Sequence, residues 1–396
     1  QEFKLIFCTS LCLWQNMTSR SCALALATCS ALASKRRSHA LCAESSEVRV
    51  GIIGTGWGVQ AQVPQFRAGG LTIKALYSRD NDRALKLACE HDISYGFSKV
   101  SSLAACPEVD LVSVVGPTYL RKQHVLEAIA AGKSVLADKP MAMSAKESEE
   151  MIAAAAKLPP GRISLLDFEL RCVPAVRRAR ELIADGSIGS PTHVTFRVLA
   201  NVEFLSDDAT HSWWNSREAG GGVFAAVGTH FVDTARFVLQ DEIARVSAIE
   251  SPLLTAMPPN KTPVTADGYI SVNMITAIRK IPVHLLISGR TPGAPPEFGC
   301  VIAGSKGTIH INFMTSELQV FYTGSEQPSE SLPASGNAWI QVGTKELARR
   351  IRAYFVEGAD ISDLATFADG LQVQLVTDAV YNSASCNGGW VSVNRS

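Results

Sequence analysis

Val48-Arg49-Val50-Gly51-Ile52-Ile53-Gly54-Thr55-Gly56-Trp57-Gly58 is the stretch that decides the fold of this 396-residue chain. Its apolar first half reads as a short buried strand, and its glycines as the turn into a helix. In a parallel α/β fold, a helix opened by such a turn points its N-terminal amides at a pyrophosphate. Glycine is required where a side chain would block approach of the backbone to the ligand. A phosphate contact is therefore expected at Gly54, Thr55, Gly56, Trp57 and Gly58, the alternative being a merely tight turn. The strict spacing asks for Gly or Ala at 59, where this chain has Val59, so Gly58 is the candidate for close helix–strand packing.

Working outward, residues 47–165 alternate strand and helix. Buried strands are expected at 48–53, 72–77, 110–115, 134–137 and 163–166, with helices at 60–68, 80–91, 120–131 and 145–157. That alternation predicts a doubly wound parallel sheet, a Rossmann domain. Pro64 should kink or start the first helix. Pro159-Pro160-Gly161 breaks the pattern. Beyond it, residues 166–396 read as a second, α+β domain for substrate binding and oligomerisation. A helix at 173–184 is followed by segments with polar and apolar residues in alternation, at 193–202, 244–250, 268–275, 281–288, 300–303, 308–313 and 318–322. They predict a large, mostly antiparallel open sheet with one covered face. Gly304-Ser305-Lys306-Gly307 reads as a hairpin turn, and two late helices are expected at 345–356 and 365–383.

Composition narrows the function. Basic and acidic residues balance at 37 each, which gives no support for a nucleic-acid surface. There is no uninterrupted apolar stretch of the ~18 residues that a membrane span needs. Of ten cysteines, five fall in the first 42 residues; the rest, Cys89, Cys106, Cys172, Cys300 and Cys386, are scattered and read as reduced buried thiols. No metal constellation is expected. Residues 1–46 lack Asp and Glu between Phe3 and Ala43 and are rich in Ser, Ala, Leu and basic residues. They read as a leader directing the protein to a plastid or mitochondrion, or as a disordered leader on a cytoplasmic protein.

The second strand ends at Tyr77-Ser78-Arg79. An acid about 20 residues past the glycine turn normally accepts the ribose 2′-hydroxyl. None stands at 78 or 79, and Asp80 comes late. A hydroxyl followed by a guanidinium suits a 2′-phosphate, because Arg pairs with phosphate in a charge-assisted fork. NADP is expected as cofactor, with NAD possible. Gly116-Pro117 after the next long strand has the small composition needed to pass over a cofactor, or is an ordinary turn.

Asp138-Lys139-Pro140 then ends the following strand. With the opening turn, Glu169-Leu170-Arg171, Gly220-Gly221-Gly222, Gly228-Thr229-His230-Phe231-Val232-Asp233 and Ala365–Leu371, it resembles the Gfo/Idh/MocA oxidoreductase family over nearly all of residues 47–396. The resemblance implies NAD(P)-dependent redox at a sugar or polyol carbon, and a homo-oligomer, a dimer or tetramer, formed through the open sheet. It implies a catalytic role for Lys139, with Lys139 and Pro140 beside the cofactor, and a substrate or proton-transfer role for His230. Physically, an ammonium at the carboxyl end of a parallel strand can bond the substrate oxygen and hold charge developing on it. Glu169 is expected to bond a substrate hydroxyl or to pair with Arg171 or a neighbour; Trp213 is expected to stack on a sugar or to pack in the core or an interface.

The chain departs from the family in four places. It has Asp138 where the family has Glu, Arg121 where a His is common, and Ala226 where inositol-dehydrogenase-like members carry a relay Asp; a further departure is Phe168, where the related pattern has His before Glu-Leu-Arg. Two functions therefore compete: an NADP-dependent oxidoreductase exchanging a hydride with a carbinol or carbonyl carbon of a small sugar-like molecule, and a non-catalytic NAD(P)-binding sensor on the same fold.

Overall fold

The computed structural model describes residues 47–201, 213–252 and 264–394. The leader at 1–46 and the end of the strand expected at 193–202 lie outside them. Among the described residues, no helix is long and apolar enough to cross a membrane.

The first half of the chain runs β1 (Arg49–Ile53), α1 (Val63–Ala68), β2 (Thr72–Tyr77), α2 (Asn81–Glu90), β3 (Tyr95–Phe97), α3 (Val100–Ala105), β4 (Leu111–Val114), α4 (Thr118–Ala130), β5 (Ser134–Asp138), α5 (Ala145–Ala155) and β6 (Ser164–Asp167). The six strands form one parallel sheet in the order β3-β2-β1-β4-β5-β6. The order reverses between β1 and β4, so the crevice at their carboxyl ends is the switch point where such sheets bind ligands. The central strands are buried on both faces, as continuous apolar runs require. β3 and α3 are additions to the expected pattern. Tyr95-Gly96-Phe97 is too short, and too interrupted by glycine, to stand out as an apolar run.

Pro64 starts α1, and the turn before it is wider than an α-helix. Gly58–Gln62 is a π-turn in which the Val63 amide donates to the Gly58 carbonyl. Pro64 has no N–H to continue an i→i−4 ladder, so the wide turn and the helix start coincide.

The second half adds α6 (Pro174–Ala184), β7 (Pro191–Leu199), α7 (Thr229–Leu239), β8 (Ile243–Pro252), β9 (Asp267–Thr276), β10 (Pro282–Ser288), β11 (Glu297–Gly304), β12 (Gly307–Asn312), β13 (Glu317–Tyr322), β14 (Glu330–Leu332), α8 (Thr344–Glu357), α9 (Phe367–Ser385) and β15 (Val391–Ser392). Nine of its strands make one sheet in the order β14-β13-β12-β11-β7-β10-β9-β8-β15, antiparallel except where β7 meets β10. Val194, Phe196 and Val198 of β7 are buried while Thr195 and Arg197 point the other way, so one face is covered and one open. The 304–307 turn joins β11 to β12, with Ala303 opposite Thr308.

The chain returns to the first sheet through α9. Thr366 and Asp369 form a capping box at its start. The Leu166 amide on β6 donates to the Ala365 carbonyl at 2.8 Å. A Cβ on Gly370 would stand 2.5 Å from the Met141 sulfur, so only glycine lets the helix come this close.

Candidate active site at the strand ends

Three glycines of the opening turn do different work. Gly54 sits at φ +148°, and a Cβ there would fall 3.0 Å from the Val115 carbonyl. A Cβ on Gly58 would lie 2.8 Å from both Ile52 and Val115 side chains. Both are therefore required by protein packing: Gly58 seats the π-turn on β1 and the end of β4, the contact expected of it in place of Val59. Gly56 differs, being exposed with nothing within 4 Å of its would-be Cβ. The Val59 and Gln60 amides close the turn onto the Gly56 carbonyl. Open space therefore adjoins the backbone at Gly56, at the amino end of a helical turn.

At the end of β2, Ser78 is buried and Arg79 exposed. Asp80 is committed elsewhere: it is the N-cap of α2, accepting from the Arg83 amide at 2.8 Å. At the end of β4, the Gly116 carbonyl accepts from Arg121 Nη2 at 2.7 Å, and Pro117 opens α4. The other guanidinium nitrogen of Arg121, Nη1, bonds the Pro140 carbonyl. Arg121 is wholly buried, with Asp138 Oδ2 3.6 Å away. One side chain thus staples the loop after β4 to the loop after β5. Sequence reasoning marked position 121 only as a departure, and nothing in its spacing signalled this role. His124, one turn on, packs edge-on against Tyr77 instead.

The Lys139–Pro140 bond is cis. Lys139 Nζ donates to the Ala226 carbonyl at 2.7 Å, so the position lacking the relay Asp still meets the ammonium, through its backbone. Around Lys139 stand Asp138, Asp167, Glu169 and His230, all within electrostatic reach. His230 Nδ1 is 3.6 Å from Glu169 Oε2, and both side chains are buried. The His230 ring makes edge-on contacts with the Phe168 and Trp339 rings. Burial and then the nearby Lys139 ammonium hold its pKa well below the ordinary 6.5. Burial pushes the Glu169 carboxyl well above the usual range, with Asp167 adding to it and Lys139 opposing. Asp167 rises to about 7, through burial first and the Asp138 carboxylate second, although Gln62 Nε2 donates to it at 2.9 Å. Ser113 donates in turn to Gln62. This Ser113–Gln62–Asp167 chain carried no sequence signal, because its members come from three separate elements.

Some expectations need correction. Arg171 does not pair with Glu169. It makes a two-pronged bond to Asp233, at 2.6 and 2.8 Å, and a third to Asp369, because its side chain turns toward α7 and α9. Cys89 and Cys386 are exposed, while Cys106, Cys172 and Cys300 are buried; all five are free thiols. Trp213 lies in a single 3₁₀ turn and stacks on Trp214, ring centroids 4.0 Å apart. A Cβ on Gly220, at the end of the same segment, would touch Thr118 at the start of α4, so this segment closes on the β4 end of the crevice. Among the described residues, no group of three or more His, Cys, Asp or Glu side chains is placed to hold a metal ion.

Comparison with known proteins matches residues 48–160 to a family described as an oxidoreductase family with an NAD-binding Rossmann fold, and residues 176–310 to the GFO/IDH/MocA C-terminal domain. A 1,5-anhydro-D-fructose reductase of Ensifer adhaerens is 36% identical over 185 residues, 46% of this chain and 54% of the relative. A levoglucosan dehydrogenase of Pseudarthrobacter phenanthrenivorans is 26% identical, covering 87% of this chain and 98% of the relative. The structure of a levoglucosan dehydrogenase in complex with NADH and levoglucosan superposes with a TM-score of 0.78 at 22% identity, over 88% of this chain and all of that one. At that identity the superposition establishes the shared fold.

Proposed function

The chain belongs to the Gfo/Idh/MocA family of NAD-binding oxidoreductases, and on that premise we propose that it is an NADP-dependent enzyme interconverting a carbinol and a carbonyl carbon of a sugar-like or polyol substrate. The observation that carries the reading is the meeting of Lys139, His230 and Glu169 at the carboxyl ends of β5 and β6, on the same edge of the parallel sheet as the glycine turn.

The turn fits a dinucleotide. Open space at Gly56 and the adjoining amides suit the pyrophosphate, and the Gly116-Pro117 and Lys139-Pro140 loops, fixed by Arg121, would border the rest of it. When bound, the nicotinamide would supply or accept the hydride. Arg79, exposed at the end of β2 with Asp80 used up as a cap, favours a 2′-phosphate over a free 2′-hydroxyl.

An ammonium has three donors, and Lys139 uses one on Ala226. The others are available to hold the substrate oxygen and to stabilise negative charge on it. The neutral imidazole of His230 exchanges a proton with that oxygen. The partly exposed Trp213 supports a sugar-facing wall, since an aromatic ring offers a large flat contact. Relatives named for a reductase and a dehydrogenase of sugar derivatives support the substrate class. The broad open face of the nine-stranded sheet is the surface through which a homo-oligomer would form.

Nucleotide fluorescence titration tests the cofactor. NADPH should bind at least about tenfold tighter than NADH, and Arg79→Ala should abolish the difference. A spectrophotometric panel of sugars, anhydro sugars, inositols and diols tests the reaction. Tight nucleotide binding with no turnover across the panel would favour the sensor instead.

A further inference from the structure

Position 226 carries no acid, yet the imidazole nearest Lys139 is not without one. His230 projects from the start of α7 with its Nδ1 buried and lacking a hydrogen-bond partner. The nearest carboxyl oxygen is Glu169 Oε2, 3.6 Å away, from the short 3₁₀ turn that follows β6. Both residues are buried, each 3% exposed. The gap exceeds a hydrogen bond by a few tenths of an ångström, a looseness common in catalytic pairs before ligand binds. Resting on the oxidoreductase reading, we propose that Glu169 is the positioning partner of His230, fixing its tautomer and resupplying its proton.

The surroundings determine how the pair is protonated. Asp138 and Lys139 face it from the end of β5, and Asp167 from β6. The turn Ala338–Gly343, which brings Trp339 against the ring, has no titratable side chain. Asp233 and Arg236 of α7 are engaged with Arg171, Glu242 and Asp369. Among these groups, burial favours the neutral carboxyl of Glu169 and the neutral ring of His230. A neutral carboxyl has one donor and a neutral imidazole one acceptor. Once the gap closes, the Glu169 O–H would donate to Nδ1, which places the ring proton on Nε2. No described residue bonds Nε2, so it is the ring atom available to substrate.

The proton ledger then balances. When the substrate oxygen is protonated, its new O–H bond forms as the Nε2–H bond breaks. Nδ1 gains the Glu169 proton as that O–H bond breaks. The ring stays neutral throughout and Glu169 is left as a carboxylate; after product leaves, a solvent proton adds to Nε2 as the Nδ1–H bond breaks and its proton returns to Glu169, which restores the starting state. Oxidation of the carbinol runs the same transfers in reverse. No electrons move in them; the change of oxidation state at carbon is the hydride exchange already described.

The test reads the tautomer directly. The full chain is labelled with ¹⁵N-histidine, and the His230 ring resonances are assigned by their loss in His230→Asn. In the wild type at neutral pH, Nδ1 should be bare and Nε2 protonated. Raising the pH should ionise Glu169 and move the proton to Nδ1. In Glu169→Gln the amide also donates to Nδ1 but cannot ionise, so the Nε2–H form should persist at every pH. NADPH binding and circular dichroism should match the wild type. Identical tautomer profiles in the two proteins, or a wild-type ring that is doubly protonated at neutral pH, overturn the proposal. On any sugar of the panel that is turned over, Glu169→Gln should lower kcat about 10- to 100-fold with KM within about twofold, and lose the alkaline limb of the pH profile. Failure of the whole panel to react counts against the enzyme reading, and leaves the tautomer result to decide the role of Glu169.

Discussion

Lys139 and Ala226 are joined by a 2.7 Å bond from the lysine ammonium to a backbone carbonyl. The carbonyl belongs to the π-turn Phe224–Gly228, which runs directly into α7 and so into His230. The bond ties the end of the parallel sheet to the helix that carries the imidazole, and it does so through an atom that mutation of residue 226 cannot remove. A carboxylate at 226 would compete for the ammonium; a carbonyl aims it without neutralising it. The bond thus aims the polar head of Lys139 at the place where the substrate oxygen would sit.

Replacing Lys139 separates chemistry from folding. Lys139→Met keeps the apolar stem and loses one bond to an otherwise paired turn. Turnover should fall about 100- to 10,000-fold while NADPH binding stays within a few-fold of wild type. Parallel loss of binding and turnover would mean that the lysine holds nucleotide and does no chemistry.

Gly56 and Gly58 are two residues apart and should respond oppositely to the same methyl group. A Cβ on Gly58 meets Ile52 and Val115 at 2.8 Å, so Gly58→Ala should destabilise the fold by about 1–3 kcal/mol. A Cβ on Gly56 meets nothing, so Gly56→Ala should melt like the wild type yet weaken NADPH binding about tenfold or more. Thermal melts and fluorescence titrations on the pair check both halves. Normal nucleotide binding by Gly56→Ala would remove the phosphate from this turn.

Much of this was legible in the sequence because strong local signals agreed with the fold. The apolar runs at 72–77 and 134–137 and the alternation in 193–199 each follow from a short stretch of residues. Lys139 and His230 were singled out through the family resemblance, and they stand just past the end of β5 and at the start of α7. The rest depends on tertiary approach. Gln62 reaches Asp167 across 105 residues, Arg171 chooses Asp233 and Asp369 over its neighbour Glu169, and Trp339 arrives against His230 from a turn near the end of the chain. No periodicity records such meetings. Pro64 shows the limit from the other side: its effect on α1 was foreseen, but not that a π-turn would absorb it.

Asp167 makes the stability of the protein depend on pH in a stated direction. Its folded pKa of about 7 lies above the ordinary 3.8. The contribution of its proton is fully present below about pH 4 and is lost as pH rises to about 7. Asp167→Asn keeps an acceptor for Gln62 and never ionises. The variant should therefore gain on the wild type between those limits and be more stable above pH 7, by on the order of 2–4 kcal/mol. Denaturant melts at pH 5 and pH 8 measure the difference; equal gaps at the two pH values would place the titration elsewhere.

Arg121 is the residue whose loss should reach the cofactor without touching it. Its guanidinium spans the Gly116 and Pro140 carbonyls, with Asp138 close by, inside a wholly buried site. Arg121→Met leaves both carbonyls and the carboxylate without their cation, and should cost about 3–5 kcal/mol. Arg121→Lys is the sharper test. It restores the charge, but a single ammonium on a flexible stem lacks the planar fork that serves two carbonyls at once. The lysine variant should recover most of the stability, while the loops after β4 and β5 lose their common anchor. NADPH affinity should then stay about tenfold below wild type in a protein whose circular dichroism is unchanged. If Arg121→Lys binds NADPH as the wild type does, the guanidinium serves only to neutralise Asp138, and the geometry of the two loops is fixed by their own strands.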